Sequence, residues 1–170
     1  MTLAIAVLVF VTVQRLIELV IARSNTAYLL RHGAYEVGGR HYPLLVVLHA
    51  SWLAALWWFG WRASVDLTLL ALFMVMQVLR VWVLATLGRR WTTRIIVLPG
   101  APLVTNGPFR FLRHPNYCVV IAEIALLPLA FGLPWIALLF SILNALVLLV
   151  RITAENRALG GNGASHSEEA

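Results

Sequence analysis

Eight consecutive residues, from Arg110 to Tyr117, hold Arg110, Arg113, His114, Asn116 and Tyr117 around Pro115, with Pro108 just before them. Proline fixes its own φ and restrains the residue before it, so a stiff polar loop is predicted here. A second polar group, Arg151, Thr153, Glu155 and Asn156, follows the last apolar run. On a helix continued from that run, Arg151 and Glu155 are four apart and share a face. Together the two groups offer cations for a carboxylate, a carboxylate for an amine or hydroxyls, and an aromatic ring for a cation or a flat base. That set suits a small ligand of mixed charge. A loop kept basic only to set membrane topology accounts for the arginines, but topology needs charge and not a His-Pro-Asn-Tyr string. Metal chemistry is not expected, because His32, His41, His49, His114 and His166 show no ligand spacing on a common helix face. The single cysteine, Cys118, allows neither an internal disulfide nor a thiolate cluster.

The elements that must position these residues are apolar. The chain is 61% hydrophobic and 12% charged, where a soluble domain carries about 25% charged residues. The excess is arranged in blocks, which predicts an all-α integral membrane protein. A single domain is expected over residues 1–159, its ligand-binding half from about 88, with a disordered tail at 160–170. Leu3 to Ile21 is the first run, and a helix of about 20 residues spans the hydrocarbon layer. Gln14, Arg15 and Glu18 fall in its second half, and Arg15 and Glu18 are spaced to pair. Both an interior position and a snorkelling one at the interface are open to them. The polar segment from Arg23 to Tyr42 reads as interfacial. Pro43 opens a second run to about Phe59, with His49 inside it as a packing residue. Leu67 to Leu87 is the third, containing Gln77 and Arg80, the latter placed to snorkel or to reach the basic loop. The segment from Thr93 to Thr105 is expected to form a small strand-turn-strand. Val119 to Phe131 is too short to cross in a straight line. Gly132, Leu133 and Pro134 turn the chain, and Trp135 to Val150 returns. About five membrane helices follow: three that span and a short hairpin, either tilted or re-entrant. Either geometry brings Arg151 to the side of the His114 loop.

The net charge is +6 and every basic residue is arginine. The arginines are dispersed in loops, which argues against a nucleic-acid surface. Three lie in residues 22–43, five in 88–118 and two after Val150, against one in 60–66. Arginine-rich loops stay cytoplasmic, so the amino terminus is expected outside and the polar groups inside. The first run lacks a basic segment before it and a cleavage site after it, so it is read as a retained helix. The site is therefore expected to face the cytoplasm, and the resemblance drawn next implies a bacterial inner membrane. Nothing points to a required protein partner; membrane lipid is expected around the helices, and a lipophilic small molecule is what the same resemblance implies.

The string GPFRFLRHPNY from Gly107 to Tyr117, then a short apolar hairpin, then Arg151 with Glu155 four residues on, resembles the isoprenylcysteine carboxyl methyltransferase family. The resemblance covers about Gly88 to Leu159. QRLIEL from Gln14 and HYP from His41 are similar to a small bacterial branch, some of whose members methylate long-chain alkylpyrones. The resemblance implies a membrane methyltransferase that uses S-adenosylmethionine on a lipophilic acceptor, a carboxylate or an acidic enol. It implies a cofactor site of Leu103, Val104, Arg113, His114, Pro115, Tyr117, Glu155 and Asn156, with Arg151 orienting the acceptor oxygen. The mixed-charge inventory above is compatible with that cofactor without singling it out. The family's two adjacent acids are here Glu155 and Asn156, which keeps hydrogen bonding and loses one charge. Membrane sterol reductases carry a similar RHPNY string, with an acid close behind it; here the next is Glu123. A non-enzymatic membrane assembly subunit is the third reading. S-adenosylmethionine against NADPH binding separates the three.

Overall fold

The computed structural model describes residues 2–39 and 42–164, with side chains to Thr153. Helix α1 (Thr2–Arg31) leads to strand β1 (Tyr35–Val37), then helices α2 (Tyr42–Gly60) and α3 (Leu67–Leu87). Strand β2 (Ile95–Val97) precedes α4 (Pro115–Ala130) and α5 (Pro134–Ala164). The fold is an all-α membrane bundle: α1, α2, α3 and α5 are each long and apolar enough to cross, and α4 is shorter. The disordered tail expected at 160–170 falls mostly on residues 165–170, which lie outside the described ones, and α5 is described through Ala164.

Local chemistry sets the helix ends. The carboxylate of Asp66 accepts from the Thr68 and Leu69 amides at 2.8 and 3.0 Å and caps α3. Pro115 and Pro134 open α4 and α5, where a missing N–H costs nothing. Pro128 removes a helical hydrogen bond inside α4, which ends at Ala130. Leu8, Leu48, Trp52, Leu56, Phe73, Ile124, Leu127 and Phe140 fill the core between the helices.

The structure departs from the expectations in four places. First, α1 continues to Arg31, ten residues past Ile21. Asn25 does not break it, because its amide reaches sideways to the Gly88 and Trp91 carbonyls at 3.2 and 2.8 Å. Second, β2 pairs with β1 and not within its own loop, in the register Tyr35↔Val97, Glu36↔Ile96, Val37↔Ile95. Third, α4 begins at Pro115, so Pro115, Asn116 and Tyr117 form its first turn and not a loop. Those extra residues give α4 16 positions, about 24 Å of rise. Fourth, the returning leg of the hairpin is not short: α5 has a 20-residue apolar stretch, Pro134–Thr153.

The ribbon joins the polar segment after α1 to the one after α3. A two-stranded ribbon is marginal alone. Arg94 braces it, with Nη1 2.7 Å from Glu36 and the guanidinium 4.5 Å above the Tyr42 ring. The ends of α1 and α3, the starts of α2 and α4, and Arg151 all meet at this ribbon end of the bundle.

Candidate functional site

Arg151 sits where three segments meet. Its Nε donates to the Tyr117 hydroxyl at 3.0 Å, and its Nη1 donates to the Thr93 carbonyl at 2.8 Å. Helix α5 supplies the arginine, the first turn of α4 supplies the tyrosine, and the approach to β2 supplies the carbonyl. The guanidinium also stands 5.9 Å from the centre of the Tyr117 ring. Nη2 has no acceptor among the described residues. His114 stands at the amino-terminal edge of α4 in a non-helical conformation, as a residue before proline must. Its ring stacks on Tyr117 at 5.4 Å and 26°. Pro115 is buried. The Asn116 Oδ1 atom is buried with no hydrogen-bond partner among the described residues, an arrangement that a ligand's N–H or O–H relieves.

The segment before this turn is seated by Gly107. Its φ is +56°, and a Cβ there would lie 2.6 Å from Thr86 Oγ1 of α3. Glycine therefore permits both the turn and the close approach. Beside Arg151, a narrow cleft of about 20 Å³ is lined by Glu36, Tyr42, Arg94, Val147 and Arg151, among others. Hydrogen bonding to Glu36 raises the pKa of Arg94 above its already high value, so this wall stays cationic.

Of the residues singled out in the sequence, His114, Pro115, Tyr117 and Arg151 form one cluster. Leu103 is 69% exposed on the preceding segment, and Val104 is half-buried there. Arg113 is exposed, with no ion pair among the described residues. Glu155 and Asn156 continue α5 one turn beyond Arg151, but their side chains lie outside the described residues.

The largest polar assembly was not anticipated, and it lies in the apolar interior. Arg80 neither snorkels nor reaches the basic loop; it is 3% exposed. Its Nε donates to Glu123 Oε1 at 2.7 Å, its Nη2 to Glu123 Oε2, and its Nη1 to Glu18 at 3.0 Å. Arg15 bridges the same two carboxylates, at 2.8 Å to Glu18 and 2.7 Å to Glu123. Gln77 donates to Glu123 and accepts from Gln14, each at 2.7 Å. Two cations and two anions from α1, α3 and α4 thus neutralise one another. This settles the open reading of Arg15 and Glu18 in favour of an interior position. His49 is near this group, with Nδ1 donating to the Leu45 carbonyl at 2.9 Å. Polar residues inside apolar runs were the available signal; which of them meet could not be read from spacing.

Comparison with known proteins now bears on this geometry. The chain is similar to an uncharacterised protein, YpbQ, of Bacillus subtilis, 39% identical over 92% of this chain and 95% of that one. It is also similar to an uncharacterised protein of Haemophilus influenzae, 29% identical over 85% of this chain and 88% of the other. No solved structure matches it. Residues 69–160 match the model of the isoprenylcysteine carboxyl methyltransferase family. That span runs from α3 through the His114 turn to Arg151 and beyond, more than half of the chain. With the apolar bundle and the Tyr117–Arg151 cluster on one end of it, the chain belongs to the isoprenylcysteine carboxyl methyltransferase family, a family of membrane methyltransferases.

Proposed function

We propose that this protein transfers a methyl group from S-adenosylmethionine to an oxygen of a lipophilic acceptor at the ribbon end of the bundle. The observation that carries the reading is Arg151, anchored through Nε and Nη1, with no acceptor for Nη2 among the described residues. Two fixed contacts restrict the planar guanidinium to one orientation, as recognition of a carboxylate or enolate requires. The residues present suit the cofactor. Asn116 Oδ1 supplies a buried acceptor for an amine or hydroxyl, and the stacked His114 and Tyr117 rings supply an aromatic surface. Arg113, Pro115, Leu103, Val104, Glu155 and Asn156 complete the proposed set.

When bound, S-adenosylmethionine supplies an electrophilic methyl group on a sulfonium. The chain contributes alignment and exclusion of water. Arg151 holds the acceptor oxygen, and an acceptor that is already an anion needs no strong base. The acceptor's apolar tail stays in the bilayer, so no protein carrier is required. Arginine-rich segments cluster at the ribbon end, which supports a cytoplasmic site in an inner membrane with the start of α1 outside.

Calorimetry on detergent-purified protein tests the reading. S-adenosylmethionine is expected to bind, NADPH is not, and His114→Ala and Glu155→Gln are each expected to weaken binding in folded protein. Normal affinity in both variants removes the site assignment, and binding of NADPH alone points to a reductase.

A further inference from the structure

Between α1 and α3, toward the ribbon end, the two helices separate. Deeper in the bundle they are clamped, Gln14 to Gln77 at 2.7 Å and Arg80 to Glu18 at 3.0 Å. One to two turns further on, Ile21 and Asn25 of α1 face Val81, Leu84 and Ala85 of α3 across a cleft of about 400 Å³. Gly88, Arg89 and Trp91 close its ribbon end, and Asn25 ties α1 to that floor through the Gly88 and Trp91 carbonyls.

One feature of the floor asks for an occupant with an anionic head. Arg89 brings a cation to the rim, 4.4 Å above the Tyr28 ring, and the cleft lining contains no carboxylate. Asn25 apart, the walls themselves are aliphatic.

We propose that the α1–α3 cleft is a binding site for an anionic glycerophospholipid. One acyl chain lies between Ile21 and Leu84 over Trp91, and the headgroup phosphate rests against Arg89. A zwitterionic headgroup would bring an amine for which the lining has no acid. The site is separate from the Tyr117–Arg151 cluster and does not depend on the methyl-transfer reading.

The test is lipid binding to the full chain in detergent, followed by native mass spectrometry and by thermal stability. The probes are phosphatidylglycerol, phosphatidylcholine of the same chains, and glycerol 3-phosphate. Retention of one phosphatidylglycerol is expected, preferred over phosphatidylcholine by about fivefold or more, the attraction of one surface arginine for anionic lipid. Arg89→Gln is expected to erase the preference. Ala85→Phe, which fills the cleft and leaves Arg89 in place, is expected to lose the bound lipid altogether. Should Arg89→Gln fail to fold, Ala85→Phe and quenching of Trp91 by brominated phosphatidylglycerol, with Trp91→Phe as reference, decide the matter. Equal retention of the two lipids overturns the proposal. So does unchanged binding in Ala85→Phe, or an equal response to glycerol 3-phosphate, which would mean an anion site with no chain.

Discussion

Glu123→Gln should be among the most damaging single-atom changes in this protein. The Glu123 carboxylate is fully buried and accepts from Arg15, Gln77 and twice from Arg80. A carboxamide keeps one acceptor oxygen and turns an NH₂ toward guanidinium donors. Arg15 and Arg80 would then share only Glu18, leaving one net cation in the apolar interior. Removing one partner of a buried ion pair costs about 3–5 kcal/mol. The Arg15 side chain keeps 17% of its exposure, so water or lipid headgroups soften the loss and the low end, about 3 kcal/mol, is expected. That is a shift of roughly 10²-fold in the folding equilibrium, measurable by reversible unfolding in mixed micelles. The decisive companion is Arg80→Met with Glu123→Leu, which leaves Arg15 and Glu18 as a neutral pair. Its cost should be well below the sum of the single changes, with a coupling of about 2 kcal/mol or more. A Glu123→Gln cost below about 0.5 kcal/mol, or additive single changes, would refute the network argument.

Arg151→Lys keeps charge but loses the fork that spans Tyr117 and Thr93. Single-turnover methyl transfer to a long-chain carboxylate should fall by about 10²-fold, with a smaller change in cofactor affinity; near-normal turnover would reduce Arg151 to a topology anchor. Gly107→Ala meets both a positive φ and Thr86, so it should destabilise by roughly 1–3 kcal/mol and weaken S-adenosylmethionine binding more than a cap change far from the site. Asp66→Ala is that control: it removes a cap and should cost about 1 kcal/mol with cofactor affinity intact. Reporter fusions at the two chain ends should place the amino end outside and the carboxyl end in the cytoplasm, and two cytoplasmic ends would break the arginine argument.

Runs of apolar residues were enough to recognise the bundle, because membrane helices need about 20 such residues and little else. The His114–Tyr117 string and Arg151 stood out because they interrupt those runs with chemistry. What stayed hidden was contact between distant positions. Strands β1 and β2 have three residues each, too few for an alternating pattern, and their pairing crosses an intervening helical hairpin. Arg80 and Glu123 lie 43 positions apart, so each looked like an isolated anomaly in its own helix. Asn25 and the polar residues after it mimic a helix end, whereas hydrogen bonds to another segment hold Asn25 within α1.

The wiring of the buried ion cluster also imposes an order on biosynthesis. Arg15 and Glu123 are 108 positions apart, so at about 5–20 residues per second the ribosome needs roughly 5–20 s to deliver the second after the first. During that wait α1 has only one counter-charge for Arg15, its own Glu18 three residues on. The pair works first as a travelling neutraliser that lets the opening helix enter the bilayer. Only when α3 and α4 arrive is that local bond joined to Arg80 and Glu123, and α1, though made before them, is thereby locked in place only with them.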